Sequence, residues 1–303
     1  MNNNHYPAGS SGGKGGQFAP KNVSGVEAGQ GQGQGQDFAP SLSFVPKTTS
    51  NGKTRTFFSD LPESEQITLE KNYEDKHADV ITQLDYFYDN YNTSKMKTPE
   101  RDYMRQQWLN NEFNDQMSQG EKKQERKATL ILGLPGSGKS TIANPLSKEM
   151  GAFIVDADNF KNRIPEFQKD RIMVSAVHHE SVNLSNEFRR ELANNGYNMI
   201  IGKVGGDYKS VEDVINNLSD NGYQIEVILN DIPFEQAIDR TIGRYDRGET
   251  DRLIPFWTTK VADKNVFDTF DQVLRHPSVT GGKIYSNDVP KGQPPVLLNE
   301  YKK

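Results

Sequence analysis

The chain has no cysteine among its 303 residues. That excludes a disulfide framework, thiol nucleophiles and cysteine-ligated zinc, and it fits a reducing compartment. No run of about 18 apolar residues occurs, so no segment reads as a membrane-spanning helix. The first residues, MNNNHYPAGSSGGKGG, lack the apolar centre of a secretory signal. A cytoplasmic location, with no membrane partner, is the expectation. Apolar residues are scarce, 33% of the chain, and mean hydropathy is -0.80, so part of the sequence is not expected to enter a core. Positive charge is not in excess either. A net charge of -5 removes the chain-wide basic footprint of a nucleic-acid binder, and no nucleic-acid partner is expected. The adjacent His178 and His179 cannot both face one metal from a helix, and they read as a satisfied or solvated pair.

What is present is unevenly distributed. Ten of the 26 glycines lie in the first 40 residues, with a Gly-Gln alternation from Gly29 to Gln36. Residues 1–55 therefore read as a disordered tail that cannot bury enough apolar surface to offset its chain entropy. Within it GGQFAP and GQDFAP echo each other. They read as a duplicated linker or, alternatively, as a pair of short docking motifs.

Residues 56–126 form a helical segment. Asp60-Leu61-Pro62 offers a cap, and His77, Val80, Leu84, Tyr88 and Tyr91 recur at helical steps. Thr98-Pro99 starts a second helix whose stripe is Met104, Trp108, Leu109, Phe113 and Met117. From residue 127 to 303 apolar runs alternate with helical patterns. ATLILGL, GAFIVDAD, GYNMIIG, GYQIEVILN and a weaker GKIYSND give about five strands. Gly196 can cap the helix before the third run, and Ser210 to Asp213 resembles a capping box before Val214. This alternation predicts an α/β fold: a P-loop kinase-type parallel sheet with helices on both faces.

The central motif is Gly133-Leu134-Pro135-Gly136-Ser137-Gly138-Lys139-Ser140, followed by Thr141. It matches G-x-x-x-x-G-K-[ST] between a strand and a helix, where backbone N–H groups and a helix N-terminus cradle phosphates. Lys139 is expected to reach the terminal phosphates and Ser140 to ligate Mg²⁺. Pro145 is expected to kink the helix that follows.

Nothing in the loop decides where the phosphate goes. No Asn-Lys-x-Asp guanine motif is found. The second strand ends in Asp156-Ala157-Asp158, a spacing that suits one metal-facing group, Asp156, and one aimed across the site, Asp158. The carboxyl ends of neighbouring parallel strands share one crevice, so Asp158 would lie near the terminal phosphate and can take a proton from an acceptor hydroxyl. The alternative is that either residue caps the next helix. Further on, Arg240, Arg244, Arg247 and Arg252 follow the fourth strand. They can clamp phosphates from a lid, or pair on a solvated helix face with Asp239, Asp246, Glu249 and Asp251.

Four features in this order resemble the zeta toxins: the P-loop GLPGSGKS; Asp156-x-Asp158-x-Phe160-Lys161 running to Pro165; Asn195-Gly196-Tyr197-Asn198; and Arg244-Tyr245 followed by Arg252 to Pro255. The resemblance covers roughly residues 128 to 290. It implies a kinase that uses ATP, or GTP, and Mg²⁺ to phosphorylate the 3′-hydroxyl of UDP-N-acetylglucosamine and so poison cell-wall synthesis. It implies that Asp158 is the general base, that Lys139 holds the phosphates, and that Arg244 and Arg252 clamp them. With Asp158, Lys203 and Glu187 stand as acceptor-binding candidates. The family's acidic-Gly-Thr turn reads Gly202-Lys203-Val204 here, and Lys203 either meets an acceptor phosphate or sits in a solvated loop. The resemblance also implies a small helical antitoxin. Residues 56–126 act in cis in that manner, or they complete the kinase core. The remaining readings are a P-loop kinase for another acceptor and a non-enzymatic ATP-dependent switch.

Overall fold

Apolar runs covered on both faces become the strands of one sheet. The computed structural model describes residues 56–250, 252–290 and 292–303. The expectations for residues 1–55, including the GGQFAP echo, concern chain outside the described residues, as does Asp251. Six strands assemble in the order β2-β3-β1-β4-β5-β6. They are β1 (Lys127–Leu132), β2 (Phe153–Val155), β3 (Met199–Lys203), β4 (Gln224–Asp231), β5 (Val279–Ser286) and β6 (Val296–Lys302). The first five are mutually parallel and β6 is antiparallel to β5. The sixth strand corrects the expected five. Its sequence escapes detection because Val296 and Leu297 are exposed and no face of it alternates cleanly.

The P-loop helix α3 (Lys139–Met150) covers one face, where Ile142 and Ala143 pack on Ile131, Ile200 and Ile228. It runs as one continuous helix with Pro145 inside it. α6 (His178–Asn194) lies on the opposite face, its Phe188 meeting Phe153 of β2 edge-on. α7 (Tyr208–Asp220) and α10 (Phe256–Arg275) follow β3 and precede β5 respectively. The cap of α7 is Asp207, not Ser210, because its carboxylate reaches the N–H groups of Lys209 and Ser210. Gly196 does lie in the left-handed region past the end of α6, with φ 74°.

The helical segment packs into this body. α1 (Glu63–Asn90) has Pro62 at its N-cap position, while Asp60 belongs to a short 3-10 turn, Phe58–Asp60, and does not cap α1. Phe58 joins Phe234 and Phe256 in a ring cluster, and its N–H donates to the Asp263 carboxylate. α2 (Pro99–Ser118) is capped by Thr98 as expected. Its buried face includes Arg101, Glu112 and Gln116 beside Trp108 and Leu109, whereas Met117 is exposed. These polar groups are buried because each is matched. Arg101 pairs with Glu166 and Glu180, and Glu112 with Arg163. Gln116 accepts the Ile154 N–H at 2.7 Å and donates to the Ile154 carbonyl at 2.8 Å, replacing the strand that β2 lacks on its outer side.

Candidate active site

The loop between β1 and α3 is shaped by two glycines in the left-handed region, Gly136 (φ 76°) and Gly138 (φ 77°). A β-carbon on Gly138 would lie 2.3 Å from the Asn287 amide, and one on Gly136 would lie 2.9 Å from Thr241. No side chain caps α3, so its first N–H groups remain for a ligand. The amides of Asn230, at the end of β4, and Asn287, after β5, both donate to the Ser137 carbonyl and fix the crest of the loop. Gly133, Pro135 and Thr141 complete the cradle, with the Thr141 hydroxyl donating to the Gly138 carbonyl at 2.6 Å. Lys139 folds back over it, its Nζ 2.8 Å from the Gly133 carbonyl and 3.1 Å from that of Leu134. Burial pulls its ammonium below the ordinary lysine range, and nearby Asp156 and Asp158 oppose that shift.

The two aspartates therefore flank the cradle, and their environments differ. Asp156 caps α4 (Ala157–Lys161), accepting the Asp158 N–H at 2.9 Å, so the capping alternative is realised for it. Burial, and then repulsion from Asp158, push its carboxyl above the usual range. Asp158 accepts from Lys161 at 3.0 Å and from Arg252 at 3.0 Å. Burial opposes its ionisation, yet these two cations outweigh it and hold the carboxyl far below the carboxylate range. Lys161, only 7% exposed, has its own ammonium lowered by burial and is offset by Asp158. His178, at the start of α6, completes the cluster. Burial, then Lys161 and His179, push it down to about 3, so it is a neutral imidazole here rather than a solvated one.

The lid candidates sit on a helix that follows β4. α8 (Phe234–Ile238) passes through a π-turn, Asp239–Gly243, into α9 (Arg244–Asp246). A π-turn inserts one residue per turn and often marks a functional site. Its Thr241 and Arg240 pack directly on Gly136. Arg240 donates to the Asn287 carbonyl and Arg247 pairs with Asp239 and Glu249, as the solvated-face reading expects of Arg247. Arg244 is exposed on α9, close enough to Arg240 to repel it. Arg252 alone of the four reaches Asp158. α1 touches this segment: Asp246 accepts from Lys76 at 2.7 Å and from His77 at 2.6 Å.

Two acceptor-binding candidates make no bond to Asp158. Glu187 lines a groove between α2 and α6 with Tyr103, Arg105 and Gln106, and accepts from Gln106 at 3.2 Å. Lys203 ends β3, where its carbonyl accepts the Gly133 N–H. Sequence reasoning missed Lys161, Asn230 and Asn287. Lys161 stood inside the Asp-x-Asp motif, whereas the two amides at strand ends carry no local signal.

The motifs, the parallel sheet and the cradle geometry agree with a family model described as Zeta toxin, which matches residues 111–289, more than half of the chain. The chain belongs to the zeta toxin family. As a zeta toxin relative it is a P-loop kinase, a nucleotide-binding phosphotransferase. No curated protein matches it. Among solved structures it is similar to one from the PezAT chromosomal toxin-antitoxin system of Streptococcus pneumoniae. That match has 17% identity, a TM-score of 0.54, and covers 68% of this chain and 81% of the other. It is also similar to the AvrRxo1-ORF1:-ORF2 structure with ATP, at 20% identity and a TM-score of 0.52, covering 67% of this chain and 68% of the other. At these identities the likeness is one of fold. Among the described residues no helix is long and apolar enough to cross a membrane.

Proposed function

We propose that this zeta toxin relative transfers the γ-phosphoryl group of ATP, or GTP, to a hydroxyl of UDP-N-acetylglucosamine or a related nucleotide sugar. The observation that carries the reading is the Arg252–Asp158–Lys161 cluster beside the P-loop. A carboxylate, a guanidinium and a buried ammonium lie together within electrostatic reach of Lys139, which supports a role for them in transfer to an acceptor hydroxyl. A pure nucleotide switch has no use for this cluster.

Lys139 leaves the Gly133 and Leu134 carbonyls and takes the phosphate oxygens. Arg252 turns from Asp158 to the transferring group, joined by Arg244 from α9. That turn removes one of the two cations that suppress Asp158, so its basicity rises as the lid engages. The hydroxyl oxygen then bonds to the γ-phosphorus, the bond to the ADP oxygen breaks, and Asp158 accepts the hydroxyl proton. The residues fit a magnesium ion. Asp156 carries a carboxyl destabilised by burial and by Asp158, a charge a cation would relieve, and Ser140 offers a hydroxyl at the helix start. Mg²⁺, when bound there, supplies charge neutralisation on the phosphates.

We assign α1 and α2 to the completed kinase fold, because Arg101 of α2 is matched on α5 (Pro165–Lys169) and α6, Glu112 of α2 is bonded by Asn159 of α4, and Tyr88 of α1 is bonded to His179 of α6. A separate antitoxin chain over the nucleotide site and a cytoplasmic place of action complete the reading. Metabolite mass spectrometry after expression in a bacterium tests it. A nucleotide sugar heavier by one phosphoryl group, absent with Asp158→Asn, is expected. An unchanged nucleotide-sugar pool would overturn the acceptor.

A further inference from the structure

Two arginines are buried among the described residues, and their surroundings are opposite. Arg101, 7% exposed, is matched by the carboxylates of Glu166 and Glu180. Arg189, 5% exposed on α6, has an amide: its Nη1 donates to the Asn217 side chain of α7, and its Nε has no hydrogen-bond partner. A guanidinium placed this way carries an uncompensated desolvation cost, and such a charge is normally paired. A second cation lies nearby. Lys203 closes β3, and strand alternation puts it on the face of Met199 and Ile201, the face that α6 covers. Its ammonium makes no hydrogen bond or ion pair among the described residues. Burial lowers that ammonium, Arg189 lowers it further, and Asp207 offsets only part. Arg189 is itself pushed down to about 10 by burial and then by Arg190.

Sequence neighbours account for the position but not for the charge. β3 pairs with β1 through Leu132 and Lys203, so Lys203 stands one strand from the start of the P-loop. On the other side β3 pairs with β2, whose end leads into Asp158. Ligands of open parallel sheets bind outside the carboxyl ends of just such strands.

We propose that Lys203 and Arg189 form an anion site that holds a phosphoryl group of the acceptor, separate from the phosphate cradle of the P-loop. It rests on the kinase reading above for its ligand, but not for its binding chemistry. The acceptor then spans two strand ends, its hydroxyl at Asp158 and its phosphoryl group over β3. A neutral sugar, or an acceptor with no anionic group, leaves both cations unmatched and is selected against. Lys203 stands in the turn that is acidic in the family by the resemblance, and Arg189 of α6 adds a second cation, so the site selects charge where a carboxylate would reject it.

The test uses the full-length protein with its P-loop saturated by Mg²⁺ and a non-hydrolysable ATP analogue, and inorganic phosphate and pyrophosphate as probes. Calorimetric titration is expected to find a remaining phosphate or pyrophosphate site. Lys203→Met should weaken it by about tenfold or more, since one charge-assisted bond is lost. Arg189→Gln should do the same. Because Arg189 is buried, that variant is read only if its thermal unfolding is cooperative, and the half-buried Lys203→Met keeps the test decisive if it is not. Binding of the ATP analogue should be unchanged in Lys203→Met. No probe binding to the saturated protein, or equal binding in wild type and Lys203→Met, overturns the proposal. Loss of probe binding in Lys203→Met, with no phosphorylated sugar in the metabolite experiment, keeps the anion site and overturns the choice of acceptor instead.

Discussion

Replacing Asp158 by Asn separates chemistry from structural charge balance. The carboxylate is bonded to Lys161 and Arg252 at 3.0 Å each. Lys161 is 7% exposed, and Asp158 is the one hydrogen-bond partner of its ammonium among the described residues. Asp158→Asn keeps an acceptor oxygen but deletes the charge that balances a buried ammonium. Breaking a buried pair costs about 3–5 kcal/mol. Asp158 itself is 48% exposed, so water shares the load and about 1–2 kcal/mol is the discounted expectation. For a folded body of this size that lowers Tm by about 2–8 °C. Removing a general base is expected to lower kcat by about a hundred- to ten-thousand-fold. Adding Lys161→Met removes the stranded cation, so the double variant should regain most of the lost Tm while turnover stays low. Scanning calorimetry and a coupled ADP assay with the acceptor read the two effects. Turnover retained in Asp158→Asn would refute the base assignment. A double variant no more stable than Asp158→Asn would refute the charge argument.

The same linkage predicts acid behaviour. The Asp158 carboxyl lies below its unfolded value, so its contribution is complete above the usual carboxylate range and is lost as pH falls through that range and below. Asp85 on α1 has the opposite sign: burial, then Asp89, push it up to about 6, so its charge destabilises the fold above that pH and not below about 4. Asp85→Asn should raise Tm at pH 7.5 and leave it unchanged at pH 4, as read by calorimetry. Asp246→Ala frees His77, which is 5% exposed, from its carboxylate, and is expected to cost about 1–3 kcal/mol and to reduce kcat by loosening the lid. An increase in kcat would instead assign α1 an inhibitory grip on the lid. Lys139→Met should abolish detectable binding of the ATP analogue in calorimetric titration; unchanged affinity would refute the phosphate role.

The P-loop and the parallel sheet were legible because their signals are contiguous: glycines at fixed offsets, and apolar runs of strand length. The meeting of Asp158 with Arg252 was not, since 94 residues separate them and only the resemblance joined them. Apolar stripes located α1 and α2 but missed three of the five residues α2 buries, because Arg101, Glu112 and Gln116 are internal through hydrogen bonding and ion pairing rather than hydrophobicity. Arg247 went to the solvated face because Asp239 and Glu249 are within its reach, a local fact. The two amides that fix Ser137 act across the whole sheet and leave no spacing to read.

One side chain of α2 governs how this protein can be cut. With Gln116 gone, a fragment beginning at residue 127 would present the Ile154 peptide bare along a flank of the sheet, ready to template strands from other molecules. Such a fragment is expected to clump for reasons unrelated to catalysis, so the smallest autonomous unit of this kinase starts before Thr98.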